Sequence, residues 1–162
     1  MMMAVKRNEI VFYVASVALC AVSFVVLNQN TKLLLFPHKT AMEYLYNFKF
    51  VFVDNVGYEH SSGLFAISKN CSGVKLFINL FIIMVFGFLH RYTGTKRKIA
   101  AIAKFYLTAL VLAFFVTLIR IAASVPFCTW EKFHLVHNVM SLGIHFAACL
   151  ILYFFMEERA KV

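Results

Sequence analysis

Residues 99–119 read IAAIAKFYLTALVLAFFVTLI, a stretch of 21 residues in which Lys104, near the start, is the only charged residue. A helix needs about 20 apolar residues to cross the hydrocarbon core of a bilayer, which is about 30 Å thick. The stretch therefore predicts a transmembrane helix, and it decides the class of fold.

Three further apolar runs are long enough, or nearly long enough, to cross a bilayer. They cover residues 10–27, 74–89 and 139–156. The run at 74–89 is the weakest because it has 16 residues, with Lys75 at its edge, where the amine can reach the interface. We predict an all-α integral membrane protein with about four transmembrane helices, forming a single polytopic domain over residues 1–162.

The overall composition agrees with a membrane protein. Hydrophobic residues make up 62% of the 162 residues and charged residues 14%, whereas soluble domains have about 25% charged residues. The mean hydropathy is +0.81. These values exclude an ordinary soluble enzyme and a disordered chain. The net charge of +9 comes from residues that flank the apolar runs, so we attribute it to topology and to anionic lipid headgroups rather than to nucleic acid.

Basic residues in short loops mark the cytoplasmic side of a membrane protein. The flanks before the first span, between the second and third, and after the fourth are short and carry eight of them: Lys6, Arg7, Arg91, Lys96, Arg97, Lys98, Arg159 and Lys161. The opposite flanks are much longer and carry six: Lys32, Lys39, Lys49, Lys69, Arg120 and Lys132. We therefore predict a multi-pass plasma-membrane protein with both termini in the cytoplasm. The alternative for residues 10–27 is a signal peptide, which is disfavoured because the run is long and no small-x-small cleavage site follows.

The segment between the first two spans, residues 28–70, is too polar to cross the bilayer and too apolar for a plain linker. Residues 50–59 and 64–68 predict two short strands separated by Gly- and Ser-containing turns, forming a small extracytoplasmic hairpin. Residues 33–36, together with the aromatic residues at 44–48, predict an interfacial or re-entrant region. A fifth, short membrane segment is the alternative for this region.

Three chemically capable residues lie at the ends of three different predicted spans. Cys71 precedes the second span, Arg120 closes the third, and His137 precedes the fourth. With four spans, all three ends lie on the extracytoplasmic side. The topology therefore predicts a thiol, a guanidinium and an imidazole at one membrane depth.

This combination of groups is suited to nucleophilic acyl transfer. A thiolate attacks a carbonyl far better than a thiol does, and a helix N-terminus and a nearby cation both favour the thiolate. The imidazole of His137 would act as general acid to the leaving amine and as base to the incoming nucleophile. The guanidinium of Arg120 would stabilise an oxyanion or orient a substrate carboxylate.

Each of the three residues also has a simpler structural explanation. A cysteine such as Cys71 at a helix start is usually a small unreactive residue, and an arginine such as Arg120 at a span end is most often an interfacial anchor. His134, one turn away, and His145, inside the fourth span, are alternatives to His137.

Other residues predict different chemistry on the same side. Cys128 permits either a disulfide with Cys71 or thiol–disulfide exchange. Ser72 and Lys75 form a Ser-x-x-Lys pattern, which is too short to indicate a serine acylase. The sequence has no Gly-rich phosphate loop, no Cys-x-x-Cys and no His-Glu-x-x-His, so we predict no cofactor and no metal.

Three short elements carry a resemblance to a known family. Residues 70–74 (Asn-Cys-Ser-Gly-Val) open a span and are similar to an A-C-S-G-hydrophobic element, and residues 118–121 (Leu-Ile-Arg-Ile) are similar to an N-x-x-R-hydrophobic element. His137 opens the last span, followed by Asn138 where an acidic residue is usual. Over about residues 50–155 the chain resembles the exosortase/archaeosortase family of membrane cysteine transpeptidases, in a small form of the exosortase K type.

The resemblance implies a role for each site residue: Cys71 as nucleophile, His137 as general acid/base, and Arg120 as oxyanion or orientation residue. It also implies the substrates, which are secreted proteins ending in a short motif, a transmembrane helix and a basic tail. The enzyme would cleave near the motif and join the new carboxyl end to an acceptor, with a membrane lipid as the expected one. Thr117 departs from the pattern because the family usually has Asn three residues before the Arg.

A small noncatalytic membrane protein, such as a pore subunit or an assembly factor, is the alternative. In that case Cys71, Arg120 and His137 would tolerate substitution together. The apolar residues are scattered evenly around each span without a polar stripe, and this disfavours a water-filled pore.

Overall fold

A computed structural model describes residues 7–63, 65–129 and 133–159, except for the side chains of residues 7, 8 and 134. Lys6, Lys132 and Lys161, which contribute to the orientation prediction, lie outside these ranges. Within the described ranges the α-helices are α1 (Arg7–Gln29), α2 (Thr31–Tyr46), α3 (Val74–Phe88), α4 (Thr95–Ser124) and α5 (Phe133–Arg159). The strands are β1 (Phe50–Val53), β2 (Gly57–His60) and β3 (Ala66–Ser68), and short 3₁₀ turns cover Lys69–Cys71, Leu89–Arg91 and Val125–Phe127.

Four helical segments are long and apolar enough to cross a membrane, which confirms the four predicted spans. They cover Glu9–Gln29, Lys69–Arg91, Thr95–Phe127 and Leu135–Arg159. Each extends beyond its predicted apolar run because the helices continue into their polar flanks. Large apolar side chains on α1 and α5 face outward along much of each helix, which is the surface that a lipid environment covers. The protein is therefore a mostly α-helical, multi-pass membrane protein.

Helix α3 is the centre of the bundle and packs against α1, α4 and α5. Its sequence is almost entirely apolar, as expected for a helix that is buried on most sides. The core around it is continuous and includes Leu80, Phe81, Met84, Phe105 and Ala109. This packing fixes the start of α3, and with it the position of the residues that immediately precede it.

Two polar contacts show which helix ends lie together at each end of the bundle. At one end, Lys98 Nζ lies 2.9 Å from Glu9 Oε1, so α1 and α4 both begin there. At the other end, where α4 finishes and α5 begins, Ser124 Oγ lies 3.0 Å from His137 Nδ1. We call this second end the site end of the bundle.

The segment between α1 and α3 has more regular structure than the sequence predicts. Residues 31–46 form one helix, α2, which continues through Pro37. The predicted strand at 50–59 is two strands joined by a turn in which Asn55 has φ +66°. The sheet therefore has three antiparallel strands in the order β1-β2-β3 instead of two. The second predicted strand begins at Ala66, and Leu64 lies outside the described residues.

The sheet and α2 enclose a second, smaller core at the site end. Tyr58 and Ile67 are directly opposite each other in the sheet, and both are buried against Leu35 and Met42 of α2. Cys71 belongs to the same cluster of buried side chains. The small sheet and α2 thus surround the thiol, while the start of α3 fixes its position along the axis of the bundle.

Candidate active site

Cys71 lies in a sharp connection between β3 and α3. It ends the 3₁₀ turn Lys69–Cys71, and Gly73 then adopts a left-handed conformation (φ +75°) before α3 begins. The Cys71 side chain is buried, with 8% of its surface exposed. Its sulfur accepts a weak hydrogen bond from the Ser68 hydroxyl at 4.0 Å. The thiol therefore lies at the N-terminal end of α3 and is partly shielded from solvent.

Arg120 lies beside the backbone that leads to Cys71. The sequence predicts it at the end of the third span, but α4 continues to Ser124, so Arg120 lies one turn inside the helix. Its side chain is 95% buried (5% exposed), and Nη2 donates a hydrogen bond to the Asn70 carbonyl oxygen at 3.3 Å. The Nε–H group is buried and has no acceptor among the described residues. Arg120 thus holds the residue before Cys71, while its buried Nε–H has no acceptor among the described residues.

His137 is connected to α4 through Ser124. The Ser124 hydroxyl donates to the Arg120 carbonyl oxygen at 2.8 Å and also lies 3.0 Å from His137 Nδ1. A hydroxyl has one proton to donate, and here it is directed to the Arg120 carbonyl oxygen, so we infer that Nδ1–H is the donor in the second hydrogen bond. A neutral His137 then carries its lone pair on Nε2, which is the form that can accept a proton.

Cys71 and His137 line the same cavity, whose volume is about 410 Å³ and whose wall also contains Ser124 and Cys128. Arg120 does not line this cavity. It lines an adjacent one of about 570 Å³, and Asn70, His137 and Asn138 line both. The structure therefore brings Cys71 and His137 into one cavity and places Arg120 in the adjacent cavity, which His137 also lines.

The structure also shows where the alternative site residues Cys128, His145, Ser72 and Lys75 lie. All four cysteines are free thiols, including Cys71 and Cys128 in the shared cavity. His145 lines the second cavity together with Ser72 and Lys75, and its Nε2 is buried without a partner among the described residues. The side chain of His134 lies outside the described part of the chain.

Sequence reasoning missed Ser124 and His38. Ser124 is four residues after Arg120 on α4, a spacing that places the two on one helix face and gives a usable signal. His38 is 2% exposed, its Nδ1 is 3.3 Å from the Leu34 carbonyl oxygen, and its ring packs on Phe114 at 4.8 Å between centroids. Burial, together with the positive charge of Arg120, holds the pKa of His38 below its ordinary value. The sequence offers no reason to expect a buried histidine here, because a proline at position 37 is evidence against a helix at that point.

No protein-family model, curated protein or solved structure matches this chain. Among the described residues, no group of three or more His, Cys, Asp or Glu side chains could hold a metal ion. The site is thus characterised by its own geometry: a buried thiol, an imidazole hydrogen-bonded to Ser124, and a guanidinium bound to the backbone beside the thiol.

Proposed function

We propose that the protein is a membrane-embedded cysteine transpeptidase. It cleaves the C-terminal sorting signals of secreted proteins on the extracytoplasmic side of the plasma membrane and transfers the new carboxyl end to an acceptor, expected to be a membrane lipid. The observation that carries the proposal is the shared cavity of Cys71 and His137, in which Ser124 leaves the basic lone pair on Nε2.

In the first half-reaction, the Cys71 sulfur attacks the carbonyl carbon of the scissile peptide bond. The thiol proton moves to Nε2 of His137, which is the general base. The carbon–nitrogen bond then breaks, and the same proton passes to the leaving amine. The product is a thioester between Cys71 and the secreted protein, and the released fragment is the transmembrane helix with its basic tail.

In the second half-reaction, the acceptor gives a proton to His137 and attacks the thioester carbon. The carbon–sulfur bond breaks, and the proton returns to the Cys71 sulfur, so the enzyme is restored. Arg120 has a positioning role through Asn70, and its charge favours the negatively charged tetrahedral intermediates.

The surroundings of the thiol favour transfer over hydrolysis. Apolar side chains line the cavity beside Cys71: Phe65 just before β3, Ile67 on β3, Ile121 on α4 and Val125 just after α4. Low exposure of the thioester limits attack by water, while a lipid acceptor arrives by diffusion in the bilayer. This supports a transferase rather than a simple protease.

The test is to replace Cys71 with alanine in cells that produce the protein. The substrates are detected by membrane proteomics as secreted proteins whose C-terminal helix and basic tail are removed when the enzyme is active. We expect Cys71→Ala to leave all of these tails attached while the variant inserts in the membrane at the normal level.

Cys128→Ser is the matched control because Cys128 lines the same cavity. It should retain processing, whereas a thiol–disulfide exchange enzyme would lose activity in both variants. Normal processing by Cys71→Ala would end the proposal and favour a noncatalytic membrane protein.

A further inference from the structure

The second cavity of the site has a different chemical character from the one that holds the thiol. Its volume is about 570 Å³, and its walls come from four spans, with Phe24 on α1, Leu76 on α3, Arg120 on α4 and Ser141 on α5. At the site end it is lined by Lys69, Lys75 and Arg120. It therefore combines a strongly basic end with side walls that belong to membrane-spanning helices.

Among the residues that the structure describes, none supplies a negative partner for the positive charges in this cavity. No Asp or Glu is among the described residues that line it, and the first turn of α3 contains no acidic residue. Arg120 is 95% buried (5% exposed), and its Nε–H has no acceptor among the described residues. A buried, incompletely hydrogen-bonded guanidinium in a cavity free of carboxylates indicates that an anion completes the site.

The N-terminus of α3 adds to the same positive field. The first hydrogen bond of the α3 helix runs from Phe77 N to the Gly73 carbonyl oxygen at 2.8 Å. The backbone N–H groups of Val74, Lys75 and Leu76 lie before this bond, in the first turn of the helix. Such amides and the helix dipole attract anions. Lys75 in the first turn opposes the dipole, and an anion bound there would remove this unfavourable interaction.

We propose that this cavity binds the phosphate ester of a membrane lipid headgroup. Lys69, Lys75 and Arg120 would contact the phosphate oxygens, and the acyl chains would lie along α1 and α5. A phosphate ester fits better than a carboxylate because three cations and a helix N-terminus can engage its several oxygens at once.

The location of the cavity also suggests what the lipid is for. His137, Asn70 and Asn138 form the wall shared with the thiol cavity. A lipid held by its phosphate would present the rest of its headgroup to His137, the base that activates the acceptor. This role as acceptor site rests on the proposed function, whereas binding of the phosphate does not.

The test measures binding to the purified full-length protein in dodecyl maltoside micelles by the shift of its thermal unfolding midpoint. The probes are dioctanoyl phosphatidylglycerol, dioctanoylglycerol, which lacks the phosphate, and inorganic phosphate. We expect phosphatidylglycerol to raise the midpoint saturably and dioctanoylglycerol to have no effect at the same concentrations.

The variant Lys69→Gln/Lys75→Gln should bind phosphatidylglycerol about 25-fold more weakly, since each basic residue contributes a factor of about five to binding an anionic lipid. Both lysines are exposed, so the variant should fold normally. The matched control, Lys32→Gln/Lys49→Gln, removes two exposed lysines that lie outside the cavity and should change binding less than threefold.

Equal shifts with dioctanoylglycerol, or unchanged binding by Lys69→Gln/Lys75→Gln, would overturn the phosphate site. An equal shift with inorganic phosphate would keep the anion site and overturn its assignment to a lipid. Cys71→Ser should bind phosphatidylglycerol normally. Loss of processing without loss of binding, or the reverse, therefore separates a failure of the proposed enzyme from a failure of this site.

Discussion

The close contact between Gly73 and Thr117 makes Gly73→Ala a sharp test of the structure next to Cys71. Gly73 has φ +75°, and a Cβ atom added there would lie 2.5 Å from Thr117 Oγ1 and 3.3 Å from the Ala113 carbonyl oxygen. Thr117 is fully buried, so it has little room to move away.

Two costs add at this position. A left-handed conformation costs a residue with a Cβ about 1–2 kcal/mol, and forcing an extra methyl group into a packed core costs about 1–3 kcal/mol. We therefore expect Gly73→Ala to lower the free energy of unfolding by about 2–5 kcal/mol. The measurement is reversible unfolding by SDS in mixed micelles, followed by circular dichroism.

The double variant Gly73→Ala/Thr117→Ala separates the two costs. It removes the hydroxyl that the new methyl group would meet, so it should recover about 1–3 kcal/mol relative to the sum of the single variants. Gly87→Ala, inside α3 with open space around the added Cβ, is the control and should change stability by less than about 1 kcal/mol. If Gly73→Ala is as stable as Gly87→Ala, the close packing of α3 on α4 described above is wrong.

Three further predictions follow from the hydrogen bonds, the ion pair and the buried histidine. Ser124→Ala should slow signal cleavage about fivefold and change its pH profile, because His137 loses a hydrogen bond of about 1 kcal/mol that orients its ring. Glu9→Gln should lower the free energy of unfolding in SDS by about 1–3 kcal/mol, because it leaves the buried amine of Lys98 without its partner. The pKa of His38 is lowered in the folded protein, so the free energy of unfolding should have its full value above about pH 6.5 and decrease as the pH drops below that value. His38→Gln should flatten this dependence in unfolding curves measured between about pH 5 and 7.5.

Each of these predictions has a control. Ser124→Thr keeps the hydroxyl and should keep most of the cleavage rate. Glu43→Gln breaks the more exposed pair with Lys39 and should cost only about 0.3–0.5 kcal/mol. Equal cleavage rates for Ser124→Ala and Ser124→Thr would contradict the role of the Ser124 hydroxyl. Equal losses of unfolding free energy for Glu9→Gln and Glu43→Gln would contradict the importance of the buried ion pair. An unchanged pH dependence of stability in His38→Gln would contradict the role given to the buried imidazole.

The sequence predicts the spans well because crossing a bilayer requires length and apolarity, and both can be read directly from the chain. It also predicts that Cys71, Arg120 and His137 lie at the same end, because four antiparallel spans leave no other arrangement. The helix ends are less accurate. The 30 residues of α4 extend about 45 Å, well beyond the apolar run that reveals the span.

The parts that sequence reasoning missed depend on contacts between distant residues. Helix α2 continues through Pro37 because α4 and the sheet pack against it, which local helix propensity does not include. The strand at 50–59 divides because Asn55 and Gly57 both adopt positive φ angles and turn the chain back. The role of Ser124 requires α5 to lie beside α4, and no single helix pattern contains that information.

The placement of Arg120 and Ser124 one turn apart on α4 has a mechanical consequence. One side chain holds the carbonyl next to the sulfur and the other holds the imidazole. A rigid tilt or shift of this helix therefore displaces both anchoring contacts together, the one on the Asn70 carbonyl oxygen and the one on the His137 ring.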